Sequence, residues 1–426
     1  MSQALRIGVV GLGTVGGGLL RLLSEQADLL ARRAGRPLVL AAVSARTRRE
    51  VAGARWLEPL ALARSGEVDV VVELVGGEDG VARELVEAAI GAGKHVVTAN
   101  KALLAKHGAA LARAAEEAGV ALLFEAAVAG GIPILKSIRD GLAGNRLSRV
   151  YGILNGTCNY ILTQMQERGI GFAQALAEAQ AEGYAEADPA FDVDGVDAAH
   201  KLAVLASVAF GAKVNFAAVH VEGIRRVEAI DIAFARELDC RIKLLAIARM
   251  TANGLEQRVH PCIVPANTPI AHVDGVFNAV VAEGDFVGRT VFQGRGAGAG
   301  PTASAVAADL VDIARGHVAP SFSVPAGALA DLPASPMAAH VGPYYVRLTV
   351  LDQPGVIADI SAILRDERIS IESLIQRGRA HDAEGAVPVV MITHETQEAA
   401  MLRALERIGR LGCMRDKPAM IRMEVL

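Results

Sequence analysis

Six residues near the N-terminus constrain this chain more than any others: Gly11-Leu12-Gly13-Thr14-Val15-Gly16, between an apolar run at 5–10 and an apolar helical stretch at 19–30. Strand, G-x-G-x-x-G and helix in that order specify a dinucleotide-binding turn. The glycines permit a tight bend and close backbone approach, and the helix N-terminus receives a pyrophosphate. A second strand is predicted at 38–43, after the Gly35-Arg36-Pro37 break. A NAD-selective site places Asp or Glu at that strand's end. Here the residues are Ser44-Ala45-Arg46-Thr47-Arg48-Arg49, with no acid before Glu50. A hydroxyl and guanidinium groups suit a 2′-phosphate, so Ser44 and Arg46 point to NADP(H), with NAD(H) as the alternative. A solvated arginine loop is the plainer reading of the same residues.

Strand and helix patterns continue at 68–77, 81–90, 95–97, 101–118 and 120–124, predicting a doubly wound parallel sheet over 1–134. A helix at 301–316 returns to complete it. Thr98-Ala99-Asn100-Lys101 follows a strand end, where ligands bind in such sheets. Lys101 is therefore a candidate to touch cofactor or substrate, although Asn100 also suits a plain helix cap. The loop 125–133, Glu125-Ala126-Ala127-Val128-Ala129-Gly130-Gly131-Ile132-Pro133, exposes backbone carbonyls beside one carboxylate. On composition it reads better as a structural turn than as a hard-cation site. Residues 135–300 lose the alternating rhythm and predict an α+β domain for substrate and oligomerisation. Within it, Thr157 is expected to cap a helix at 158–166, after a strand at 150–154. A second glycine loop at 293–300, with Gly296 and Gly298, precedes the returning helix and is placed to close over the cofactor.

The stretch 183–201 concentrates carboxylates and ends with Asp197 and Lys201 four residues apart, ahead of an apolar helix. An exposed i, i+4 ion pair, worth about 0.3–0.5 kcal/mol, is one reading. A calcium loop is another, and it fails, because Ala190 and Lys201 fall where ligating acids are required. The third is an active site in which carboxylates hold a cationic or hydroxylated substrate and the lysine moves a proton.

Residues 317–343, rich in Ala, Pro, Ser and Gly, read as a linker, and 344–426 reads as a ferredoxin-like βαββαβ unit with no catalytic constellation. With 4% aromatics against 52% hydrophobic residues, the cores must be built from Ala, Val, Leu and Ile. A net charge of -4 gives no electrostatic case for nucleic acid, and no apolar run reaches membrane-spanning length. Four scattered cysteines and no basic-then-apolar leader fit a cytoplasmic protein.

Taken together, Gly-Leu-Gly-Thr-Val-Gly at 11–16, Thr-Ala-Asn-Lys at 98–101, the loop 125–133, Gly-Ile-Leu-Asn-Gly-Thr-Cys-Asn-Tyr-Ile at 152–161, the stretch 183–201 and Gly-Arg-Gly-Ala-Gly at 294–298 resemble homoserine dehydrogenase with a C-terminal ACT domain. The resemblance covers essentially the whole chain and is to the monofunctional form. It implies NAD(P)-dependent interconversion of L-homoserine and L-aspartate 4-semialdehyde, on the route to threonine, methionine and isoleucine. It implies Lys201 as the general acid/base, Asp197 as its orienting partner, and Glu186 and Asp192 near the substrate ammonium. Lys101 and Thr98 become cofactor contacts, and Glu125, Val128, Gly130 and Ile132 a monovalent-cation loop for sodium or potassium. Threonine is implied as effector of the ACT unit, and a homodimer or homotetramer as the assembly. Two rivals remain: a hydroxy-acid dehydrogenase, disfavoured because the Asp197/Lys201 pair is not a histidine–carboxylate relay, and a non-catalytic sensor of nucleotide and amino acid.

Overall fold

The β-branched runs of the first third pair as a six-stranded sheet in the order Arg55–Trp56, Leu38–Ser44, Leu5–Val10, Val70–Glu73, His95–Thr98, Leu122–Leu123. Every pairing is parallel. The structure is a computed structural model that describes residues 3–377 and 385–426; Met1 and Ser2 of the sequence reading lie outside them. The strand order reverses between Leu5–Val10 and Val70–Glu73, which opens a crevice at the carboxyl ends of those strands. Alternation along the first strand sends Leu5, Ile7 and Val9 to one face and Val10 to the other. The first helix starts at Thr14, directly on the glycine turn, rather than at 19, and breaks at Gln26. It restarts as Ala27–Ala34, which brings Leu30 and Ala34 onto the same core as Leu19 and Leu23. The returning helix, Ala299–Ala314, adds Ala303, Val306 and Leu310 to that core.

The second sheet runs Gly288–Arg295, Phe277–Gly284, Leu147–Ile153, Cys240–Thr251, Gly254–Pro265, Ala419–Met423, Tyr344–Leu351, Ala386–Thr393, Ile371–Gln376. Its last four strands belong to the C-terminal βαββαβ unit, with helices Val356–Asp366 and Glu398–Ile408. That unit is not a separate sheet. Its closing strand, Ala419–Met423, pairs antiparallel with Tyr344–Leu351 and parallel with Gly254–Pro265, at Cys262↔Arg422 and Ile263↔Met423.

The segment read as a linker, 317–343, is packed along the molecule. Phe322 is buried against Phe124, with ring centroids 5.0 Å apart. Ser321 Oγ donates to the Leu122 carbonyl and Ser323 Oγ to that of Val208, each at 2.8 Å. The Ala326 amide donates to the Glu116 carboxylate, and the Pro333 carbonyl accepts from Leu255. Composition announces the lack of regular structure, but not that an aromatic anchor and side-chain bonds to backbone pin the strap down. Phe322→Ala is therefore expected to cost about 3–5 kcal/mol in urea unfolding. Asp331→Ala in the same strap, at a solvent-exposed pair with Lys213, is expected to stay within about 0.5 kcal/mol.

Candidate active site

The helix Val196–Phe210 begins after Gly195, which takes φ +85°, and nearly all of it is buried. Asp197 sits in its first turn, where the helix dipole favours a carboxylate. Lys201 lies one turn on and donates to Asp197 Oδ2 at 2.7 Å and to the Leu154 carbonyl at 2.8 Å. Asp197 is 5% exposed and Lys201 9%, which removes the exposed ion-pair reading. Lys101 Nζ stands 3.2 Å from Asp197 Oδ1, so one carboxylate is flanked by two ammonium groups. Burial opposes its ionisation, yet Lys201, Lys101 and the Asn155 hydrogen bond hold it well below the usual carboxylate range. Lys101 opens the helix Lys101–Glu117, whose Leu103 amide donates to Asn100 Oδ1. The cap reading of Asn100 is therefore met, and Lys101 stands against Asp197.

Asn155, seen in the sequence only as a turn residue, is the hub. Its Nδ2 donates to Asp192 Oδ1 at 2.8 Å and to Asp197 Oδ2 at 2.9 Å, while its Oδ1 accepts from the Cys158 amide. Asn155, not Thr157, is thus the cap of the helix Gly156–Arg168. Thr157 lies inside the first turn, with its hydroxyl 2.8 Å from the Tyr184 carbonyl and 2.9 Å from Asp192 Oδ2. Both candidates are ordinary capping residues, and spacing alone does not choose between them. Asp194 pairs outward with Arg225 and Asp188 accepts from the Ala190 amide, so the acids of this loop diverge and form no calcium cage. Glu186 is exposed, and among the described residues its carboxylate has no partner. Lys101 Nζ also lies over the Phe191 ring, 5.7 Å from its centroid.

At the switch-point crevice Gly11 takes φ +101°, and a Cβ there or on Gly16 would overlap backbone, at Leu74 and Gly11 respectively. Gly13 and Thr14 face solvent, while Leu12 and Val15 are half-buried. Ser44 ends its strand with a buried hydroxyl that has no partner among the described residues, and Arg46 is exposed; Arg48 lies over Trp56 instead. Thr98 is tied inward. Its hydroxyl donates to Glu73 Oε2 at 2.6 Å and accepts from the Asn100 amide. Glu73, which sequence reasoning passed over, is fully buried and also accepts from the Val75 and Gly76 amides, holding the turn beside the crevice. Gly296 packs on the Asn278 amide and Gly298 takes φ +115° ahead of the returning helix.

In the loop 125–133, the Glu125 carboxylate accepts from the Leu135 and Lys136 amides at 2.9 and 2.8 Å. Burial and the neighbouring Asp309 push its pKa up to about 7. Ala129 and Gly130 both take positive φ, the Ile132 carbonyl accepts from Ile134, and those of Val128 and Gly130 accept nothing among the described residues. Lys136 bridges this loop to the returning helix through Asp309 at 3.0 Å and Asp312 at 2.6 Å.

Residues 11–125 match the family model for the homoserine dehydrogenase NAD binding domain, 133–311 that for homoserine dehydrogenase, and 344–410 that for the ACT domain. The chain is 46% identical to a homoserine dehydrogenase of Pseudomonas aeruginosa over 434 residues, covering 100% of both. It is similar to the crystal structure of a homoserine dehydrogenase from Thiobacillus denitrificans (TM-score 0.93, 45% identity, 99% of this chain and 98% of that one). It is also similar to a hyperthermophilic archaeal homoserine dehydrogenase in complex with NADPH (TM-score 0.62, 26% identity, 73% of this chain and 97% of that one). Matched along its whole length in this way, the chain belongs to the homoserine dehydrogenase family, NAD(P)-dependent oxidoreductases that act on a CH–OH group.

Proposed function

We propose that this site interconverts L-homoserine and L-aspartate 4-semialdehyde with Lys201 carrying the proton. The observation behind the assignment is the buried Asp197 carboxylate between Lys201 and Lys101, beside the Asn155–Thr157 turn. A nicotinamide cofactor held at the glycine turn 11–16 would supply or accept the hydride. Lys201 uses two N–H groups on Asp197 and Leu154, which leaves a third for the substrate oxygen. As negative charge develops on that oxygen, the ammonium stabilises it and then protonates it; in the oxidative direction the amine takes the proton back. Asp197 would fix the direction of Lys201, and Lys101, which opens the helix Lys101–Glu117 and pairs with the same carboxylate, would contact the cofactor. The unpartnered Glu186 carboxylate, with Asp192, suits the substrate ammonium. Lys201→Ala is expected to lower turnover about 10²–10⁴-fold, followed by nicotinamide absorbance, with cofactor affinity retained. A variant that loses cofactor binding instead would end this assignment.

NADP(H) is the proposed cofactor. The residues fit: the crevice closes on glycines where a side chain would overlap backbone, and the helix N-terminus faces it without an acidic residue in its first turn. At the ribose end stand the Ser44 hydroxyl, which lacks a partner among the described residues, and exposed Arg46. The archaeal relative's complex with NADPH supports the same choice. Arg46→Ala is expected to raise KM for NADP by roughly tenfold, the value of about 1.4 kcal/mol, with KM for NAD unchanged.

Glu125 with the carbonyls of Val128, Gly130 and Ile132 would hold a monovalent cation. Support comes from the two carbonyls that accept nothing among the described residues and from the buried carboxylates of Glu125 and Asp309, the latter paired with Lys136. Threonine is the proposed effector of the ACT unit, placing the enzyme in threonine, methionine and isoleucine biosynthesis. The strand Gly288–Arg295 at the sheet's edge, with Val291 and the neighbouring Phe286 exposed, supports assembly as a homodimer or homotetramer. No helix among the described residues is long and apolar enough to cross a membrane, and with four free cysteines we place the enzyme in the cytoplasm. Activity is expected to be higher in potassium or sodium than in a bulky organic-cation buffer and to fall on adding threonine. Equal rates throughout would remove both proposals.

A further inference from the structure

Behind the acidic loop runs a short segment, 220–225, that no catalytic assignment uses. Gly223 lies so close to the loop that a Cβ on it would overlap the Val193 carbonyl and the Asp194 backbone. The Ile224 amide donates to the Val193 carbonyl at 2.9 Å, and Arg225 pairs with Asp194. On its other side the Glu222 amide donates to the Val259 carbonyl at 2.7 Å. The Glu222 carboxylate is gripped by a residue of the C-terminal unit: Arg422 Nη1 and Nη2 donate to its two oxygens at 2.9 and 2.8 Å. Arg422 is 2% exposed and anchored within its own unit, where its Nε donates to Glu398 Oε2 at 3.0 Å and Tyr344 donates to the same oxygen at 2.7 Å.

These contacts form one continuous support: Arg422, Glu222, Gly223, then the backbone at 193–195. Asp192 lies at one end of that backbone, and Gly195 starts the helix carrying Asp197 and Lys201 at the other. We propose that Arg422 is a positioning residue for the active site, acting through Glu222 to hold the substrate loop from behind. The inference rests on the assignment of Asp192, Asp197 and Lys201 to that site. A bidentate guanidinium–carboxylate pair fixes direction as well as distance, which is what such a brace needs. The C-terminal unit is thereby part of the frame that sets substrate affinity, whether or not it binds an effector.

Glu222→Gln tests this with little risk to folding, because the Glu222 side chain is half-exposed and keeps its shape. KM for L-homoserine is expected to rise on the order of tenfold, while the NADP dissociation constant, measured by fluorescence titration, stays unchanged. The Ile224 amide is expected to exchange with solvent faster. Arg422→Lys, which keeps the charge but loses the fork, is expected to raise KM less than Glu222→Gln, and the double variant to show less than additive loss. An unchanged KM in Glu222→Gln, with normal turnover by the unaltered enzyme, overturns the proposal. So does an equal loss of NADP affinity, which marks a general loosening. If the unaltered enzyme does not turn over L-homoserine, the site assignment falls instead, and exchange at Ile224 still decides whether the pair braces the loop.

Discussion

Everything around the site follows from keeping one carboxylate ionised where little water reaches. A buried charge costs several kcal/mol unless its lone pairs are taken up. Asp197 meets that requirement with Lys201, Lys101 and Asn155, and with its place in a helix's first turn. Each partner comes from a different part of the chain: a helix of the parallel sheet, the turn after Leu147–Ile153, and the helix Val196–Phe210 itself. The ion cluster can form only when the dinucleotide sheet and the second sheet have come together. It therefore joins the NAD-binding domain to the second sheet at the residues proposed to carry the chemistry.

A second polar seam does comparable work at the back of the crevice. Lys136 bridges Asp309 and Asp312 on the returning helix, while the Glu125 amide donates to Asp309 at 2.9 Å. The helix Ala299–Ala314 is thus fastened at its apolar face to the first core and at its polar face to the loop 125–136. With few aromatic side chains available, such hydrogen-bonded seams specify how the layers meet, and the small residues set how closely.

The parts of this arrangement legible in the sequence were those fixed by local rules. The glycine turn, most of the parallel strands and the C-terminal βαββαβ pattern follow from period, punctuation and turn chemistry, whereas the start of the first helix at Thr14, its break at Gln26 and the short strand Arg55–Trp56 do not. The pairing of Asp197 with Lys201 was visible because four residues is one helical turn. Its contact with Lys101 was not, since nothing local links residues so far apart. Glu73 ends a valine-rich strand with no local mark of its role, and Asn155 and Thr157 are both ordinary capping residues between which spacing does not choose. The packing of the strap 317–343 is not legible in the sequence because irregular backbone and loose backbone share a composition. The resemblance supplied roles for Glu186 and the cation loop that spacing could not.

The union of the two halves of the long sheet has a consequence for synthesis. Gly254–Pro265 is flanked on one side by Cys240–Thr251, and on the other by Ala334 at its start, His220–Val221 near its middle and Ala419–Met423 near its end. Residues 262–263 therefore await a strand far downstream in the chain, and until it is made that stretch is an open β-edge with apolar neighbours. Unpaired edges of this kind recruit other chains. The nascent polypeptide thus exposes this edge until residues 419–423 are made, so termination ahead of them is a hazard for solubility.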